Sequence, residues 1–280
     1  MGNLRRNINF RFFKDTLGLS YGCLMCLLCW PLAQLKAQNE SNTKMKIEIW
    51  SDIACPFCYI GQAHIMEALA DFPQRDFIQI EWKSFILDPS LPLESEEDLY
   101  SSLSERKGIS MQQVQQMTAN VKQMAQQAGL TLDFDNVKPV ATSEVHKVLQ
   151  LAKQKGLGNA AKQRFFEAYF KEGANIADHE TLKALGAELG LQADEIQAAL
   201  TSPEMQAAVE RDLAEARSIG INGVPYFVLD RKHAMSGAQP VGSMRAALDQ
   251  AFEAWQQSQP ASAKIAETQG ASCTPKGDCD

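Results

Sequence analysis

Two thiols, Cys55 and Cys58, stand two residues apart in the run Cys55-Pro56-Phe57-Cys58. At the start of a helix, that spacing puts both sulfurs on one turn, where they can close a small disulfide ring with little backbone movement. The chemistry this permits is thiol–disulfide exchange. The first thiol would lie beside the unpaired N–H groups and the positive end of the helix, which favours thiolate and is expected to lower its pKa. Cys55, predicted to be exposed at the loop, is therefore the attacking thiol, and Cys58, a turn deeper, is the one that resolves a mixed disulfide. Pro56 suits a first helical position because its φ is fixed and its missing N–H would go unused there. Phe57 adds no positive charge, so the helix end and desolvation are left to set the redox poise. A structural pair or half of a zinc site is the competing reading, and zinc needs two further ligands. The strand, loop and helix around the pair favour redox chemistry, with neither a metal nor a cofactor required.

Those elements can be read from periodicity. Lys46-Ile47-Glu48-Ile49-Trp50 alternates polar and apolar residues, predicting a half-buried strand, and Ile60, Ala63, Met66 and Leu69 recur at helical spacing behind the cysteines. A second strand is expected over 77–85, with Ile78, Ile80 and Trp82 on one face, closed by Asp88-Pro89 and Leu91-Pro92. From about 94 to 219 no strand pattern occurs. Helical period appears instead at Val114, Val121 and Met124, at Val145, Val148 and Ala152, at Phe165, Phe166 and Tyr169, and at Leu182, Leu185 and Leu189. Gly129, Gly156, Gly173 and Gly190 follow these runs as expected C-terminal caps, and Asn159, Asp178 and Ser202-Pro203 precede them as starts. A hairpin is predicted from Pro225-Tyr226-Phe227-Val228-Leu229 through Asp230-Arg231-Lys232 to His233-Ala234-Met235-Ser236, then a last helix over 241–255.

Far from the cysteines in sequence, Gly223-Val224-Pro225 places a proline at the entry of that hairpin. A proline there can be a plain strand start, whereas a cis peptide at the same place would be a costly and specific feature. Asp52, three residues before Cys55, reads as a turn cap more readily than as a proton relay, and His146 as a structural histidine. The stripe Met111, Met117 and Met124 is expected to pack in the core rather than line an adaptable groove.

The 280 residues, with 45% hydrophobic and 22% charged content, suffice for one sizeable core. The first 44 residues hold six Lys/Arg against two Asp/Glu, so the net −7 becomes about −11 for residues 45–280, which argues against nucleic acid as a partner. Seven cysteines in three clusters do not form a disulfide-stapled scaffold. Arg5, Arg6, Arg11 and Lys14 precede an apolar run over 17–33, the layout of an export signal, too short and interrupted for a stable membrane span. Cys23, Cys26 and Cys29 inside that run are unusual for export. Residues 1–44 are thus read as a leader: an upstream extension of a cytoplasmic chain starting at Met45, or a signal within 1–37 leading to the periplasm or beyond. The tail over 259–280 is expected to be mobile and carries Cys273 and Cys279.

Taken together, the motifs resemble the DsbA-like oxidoreductases, and the FrnE-like subgroup in particular. The segments that carry the resemblance are Ser51 to Gly61, Phe85 to Pro89, Thr142 to His146, Asn175-Ile176, Gly220 to Val228 and Ser236 to Pro240. The resemblance implies an α/β thioredoxin fold with a large all-helical insertion: a thioredoxin-fold domain over 45–93 and 203–258, with the insertion over 94–202. It also implies Cys55 as nucleophile, Cys58 as resolving thiol, Pro225 as a cis-proline facing them, and Val224 as a backbone rest for an extended substrate. The subgroup often has Trp where Phe57 stands, and its members tend to carry a C-terminal cysteine pair, which Cys273 and Cys279 resemble. An auxiliary disulfide that exchanges with Cys55 and Cys58 is one reading of that pair, and an adventitious pair on a mobile end is the other. The implied partners are protein or peptide thiols and disulfides, with glutathione as a further candidate. A glutathione-dependent isomerase or transferase of the same superfamily is a competing function, disfavoured by Cys58. A redox-switched chaperone or binding module is another.

Overall fold

The computed structural model describes residues 44–259. Strand β1, Met45–Ser51, pairs in parallel with β2, Ile78–Ser84, on one side. On its other side it pairs antiparallel with β3, Tyr226–Leu229, which turns into β4, His233–Ser236. The resulting order is β2-β1-β3-β4. β1 is thus central and buried on both faces, with only Lys46 exposed, where alternation predicted a half-buried strand. The difference lies in Glu48, which is 2% exposed and faces Arg231 and Lys83 rather than water. Arg231 reaches it from a turn in which both Asp230 and Arg231 adopt positive φ.

Helix α1, Pro56–Ala70, and the last helix α9, Val241–Ser258, cover one face of the sheet. Met45, Ile47, Ile49, Phe227 and Leu229 from the strands pack there with Ile65, Leu69, Leu248, Phe252 and Trp255. The other face buries Trp50, Ile221, Val228 and Ala216. Between β2 and β3 run α2, Leu99–Lys107; α3, Met111–Gln127; α4, Ser143–Gln154; α5, Gly158–Phe170; α6, His179–Glu188; α7, Ala193–Thr201; and α8, Pro203–Ser218. Their starts are capped as the sequence suggests at Asp178 and Ser202, whose side chains accept backbone N–H groups of the first turn, each contributing about 1 kcal/mol. Asn159 is different. α5 begins at Gly158, and the Asn159 side-chain oxygen accepts the Trp82 indole N–H at 2.6 Å, giving that largely buried donor its partner.

The methionine stripe also departs from expectation. α3 buries Val114, Thr118, Val121 and Ala125, while Met111 and Met124 are each 39% exposed. Both rows have helical spacing, and the smaller side chains win the core, so Met111 and Met124 fall to its solvent flank and Met117 is half-buried. The largest core cluster joins Phe165, Phe166, Tyr169 and Phe170 of α5 and Val145, Val148 and Leu149 of α4 to Cys55, Cys58, Tyr59 and Ile60. The start of α1 is therefore packed between sheet and helical block. Cys23, Cys26, Cys29, Cys273 and Cys279 lie outside the described residues.

Candidate active site

Cys55 is the N-cap of α1, in extended conformation, with Pro56 in the first turn. Its carbonyl accepts the N–H of Cys58 at 3.0 Å and that of Tyr59 at 3.4 Å, so the chain enters the helix at the first cysteine. Both cysteines are unpaired thiols. Cys55 is 4% and Cys58 1% exposed, so the first sulfur is more enclosed than a loop position predicts. Its cover comes from the hairpin entry: Cys55 Sγ lies 3.5 Å from the Val224 carbonyl oxygen, and the Val224–Pro225 peptide is cis. The Pro225 carbonyl in turn accepts the Gly237 N–H at 2.8 Å. Phe57, by contrast, is 39% exposed beside the thiols.

The approach of α1 to Pro225 depends on Gly61. A methyl group there would lie 2.9 Å from Pro225 Cγ and 3.3 Å from the Phe227 ring. A small residue at this turn of α1 lets Cys55 and the cis peptide come together across 169 residues of chain.

Beneath the thiols sits a buried polar group. Asp52, 1% exposed, accepts the N–H of Leu87 at 2.7 Å and that of Ala54 at 3.4 Å, so it does cap the loop. It also meets His146 Nε2 at 3.3 Å. Burial opposes ionisation of Asp52, but the hydrogen bond from His146 and the Leu87 N–H outweigh it and hold the carboxyl below its usual range. Burial, with Lys162 nearby, pushes His146 below its ordinary value despite Asp52. The pair is then a carboxylate and a neutral imidazole, which requires Nε2 to carry the proton and donate it.

The hydrogen bond between Cys58 and Cys55, then burial, push Cys55 well above the ordinary thiol range, with Asp52 adding to the rise. The helix end alone predicts the reverse. In the folded, reduced pair, a proton shared between two enclosed sulfurs outweighs it.

A family model for the DSBA-like thioredoxin domain matches residues 46–249. The chain belongs to the DsbA-like thioredoxin family. It is therefore related to thiol–disulfide oxidoreductases, and its fold is the α/β thioredoxin type with helices inserted between β2 and β3. The crystal structure of the probable DsbA oxidoreductase SCO1869 from Streptomyces coelicolor is similar at 35% identity and a TM-score of 0.71, over 84% of this chain and 98% of that one. The uncharacterized protein YwbO of Bacillus subtilis (strain 168) is 29% identical over 185 residues, 65% of this chain and 86% of its own length. The cytosolic disulfide reductase DsbM from Pseudomonas aeruginosa shares the fold at 20% identity, with a TM-score of 0.54 over 75% of this chain and 99% of that one.

The structure brings Cys55, Pro56, Phe57 and Cys58 together with Val224 and Pro225. Two residues at this site escape the sequence reading: Gly61, quoted only within a motif, and Lys162. Lys162 is 0% exposed in α5, its Nζ donating to the Ser51 carbonyl at 3.2 Å. A signal existed, since Lys162 falls three, four and seven residues before Phe165, Phe166 and Tyr169, on the apolar face of its helix. No helix among the described residues is long and apolar enough to cross a membrane.

Proposed function

We propose that this chain exchanges disulfides with protein or peptide thiols through Cys55 and Cys58. The observation that carries the reading is the placement of Cys55 Sγ at the N-terminus of α1, 3.5 Å from the carbonyl of a cis Val224–Pro225 peptide. In the oxidised form, a client thiolate attacks the Cys55 sulfur, the Cys55–Cys58 bond breaks, and Cys58 leaves as thiolate. A second client thiolate then attacks its own half of the mixed disulfide and releases Cys55. The client loses two electrons and the cysteine pair gains them. Run backwards, the same steps reduce a client disulfide, with Cys58 resolving the mixed species. Val224 and Phe57 flank Cys55, the first offering backbone to an extended client and the second an exposed apolar contact.

Within the family, the motifs around Cys55, Thr142 to His146, Gly220 to Val228 and Ser236 to Pro240 support a place in the FrnE-like subgroup. The element order supports a thioredoxin-fold domain over 45–93 and 203–258 with the insertion over 94–202. The cytosolic location of DsbM supports a cytoplasmic setting, and the structure of DsbM with GSH supports glutathione as a small partner. The test uses the full chain with a disulfide peptide or insulin. Cys55→Ser should abolish turnover, and Cys58→Ser should accumulate a mixed disulfide at Cys55, visible by mass spectrometry. Turnover that persists in Cys55→Ser defeats the reading.

A further inference from the structure

Lys162 is a cation with no exposure, in a place where ionisation is costly unless something charged answers it. Its ammonium donates to the Ser51 carbonyl at 3.2 Å and lies over the faces of Trp82 and Phe166, 5.7 and 5.4 Å from their centroids. Among the described residues it forms no ion pair with a carboxylate within 4.0 Å. Ser51 ends β1, four residues before Cys55, and Phe166 stacks at 5.0 Å on Tyr59, the residue after Cys58. The lysine thus reaches from the helical block to the end of β1, in the same core that buries Cys55, Cys58 and Phe166. With His146, Ser84 and Gln150 it borders a small cavity of about 10 Å³.

The titratable groups whose charge acts on it are Cys58 of α1, Asp52 from the loop before α1, Cys55 at the N-cap and Asp212 of α8. His146 of α4 and Lys83 of β2 border the same cavity. Lys83 is already matched by Glu81, Glu48, Asp212 and Glu215 at 3.0 to 3.6 Å. Asp52 is engaged by Leu87, Ala54 and His146. The anion without a dedicated partner is the thiolate that the cysteine pair forms when it loses one proton.

We propose that Lys162 is the internal counter-ion of the reduced site, stabilising the single negative charge shared by Cys55 and Cys58 and thereby setting how oxidising their disulfide is. It is a positioning charge, not a reactant, and its role deepens the exchange reading above. Reduction of the disulfide by two electrons and one proton leaves one thiol and one thiolate, and the thiolate is the species the ammonium favours. Burial pushes Lys162 down to about 8, with Cys58 the strongest of the charges that oppose that fall. Oxidation removes the thiolate and so makes the ammonium less favourable.

Two variants separate charge from packing. Lys162→Met removes the charge and the donor, whereas Lys162→Gln removes the charge and keeps a donor for Ser51. The reduced full chain is titrated by thiolate absorbance at 240 nm, and its equilibrium with glutathione is measured above the midpoints of both wild type and variants. Both variants should raise the midpoint so that roughly tenfold less thiolate is present at a given lower pH. Both should shift the glutathione equilibrium about tenfold toward the protein disulfide, close to 30 mV for a two-electron couple. Wild-type midpoints and equilibria in both folded variants would overturn the assignment, as would a shift in Lys162→Met alone, which would reduce the lysine to a hydrogen-bond donor. If neither variant folds, lysine Cε NMR titration of the wild-type protein decides: a lower Lys162 midpoint in the oxidised than in the reduced state supports the proposal, and equal midpoints overturn it. The titration needs no client, so failure of Lys162 leaves the exchange reading standing, while an inactive wild-type protein refutes that reading alone.

Discussion

Gly61→Ala tests whether the close approach of α1 to the cis peptide is what assembles the site. In an ordinary helix interior the change is stabilising by about 1 kcal/mol, because alanine loses less backbone freedom on folding. Here the new methyl would stand 2.9 Å from Pro225 Cγ and 3.3 Å from the Phe227 ring. Restoring ordinary contact at 3.4 Å requires the proline to retreat by about 0.5 Å. A proline ring in a hydrogen-bonded loop cannot swing aside as a long side chain can, and Phe227 behind it is 0% exposed. Overpacking of this kind costs about 1–3 kcal/mol, so the net is a loss of about 1 kcal/mol instead of the usual gain. The same displacement carries Val224 away from Cys55, and misplacement approaching 1 Å can cost up to about 100-fold in rate. A several-fold slower exchange is therefore expected for Gly61→Ala, and a larger loss for Gly61→Val. Denaturant midpoints of the reduced protein and second-order rates with a disulfide peptide measure both. A Gly61→Ala protein that is more stable by about 1 kcal/mol and exchanges at the wild-type rate would show that the contact is slack.

Acidification should weaken the fold through His146 before it reaches Asp52. The folded pKa of His146 lies below its unfolded value of about 6.5, so its contribution is present above that pH and is lost as pH falls. The unfolding free energy should drop between pH 7 and 5 by at most about 1.4 kcal/mol per pH unit from this group, and His146→Gln should flatten that part of the curve. An unchanged slope in the variant would assign the effect elsewhere. Asp52, also depressed, adds its own loss only as pH falls below about 4. Asp212→Ala should cost about 3–5 kcal/mol, because it orphans the Ser84 N–H at 2.9 Å, the Gln150 amide at 2.6 Å and part of the Lys83 charge. Chemical denaturation reads this directly, and a loss below 1 kcal/mol would mean that water or neighbouring carboxylates replace Asp212.

Much of this protein is written in local sequence signals. The Cys55 to Cys58 spacing with Pro56, the hairpin over 225–236 and the helical period between β2 and β3 each follow from contacts within a few residues, which is why they are legible without the fold. Asp178 and Ser202 belong to the same class, since a cap satisfies N–H groups in its own first turn. What depended on tertiary structure was every choice between equivalent local patterns or between local and distant forces. Glu48 reads as a solvent residue until Lys83 arrives from β2 and Arg231 from the turn between β3 and β4. The methionines of α3 share the period of the core row beside them, and only packing decides which row is buried. A helix N-terminus favours a thiolate at Cys55, yet the hydrogen bond with Cys58, and then burial, push its pKa up. Lys162 and His146 acquire their relation to the thiols only when α4 and α5 fold onto the start of α1. Burial and charge act through space, and sequence periodicity reports only which side of a helix a residue takes.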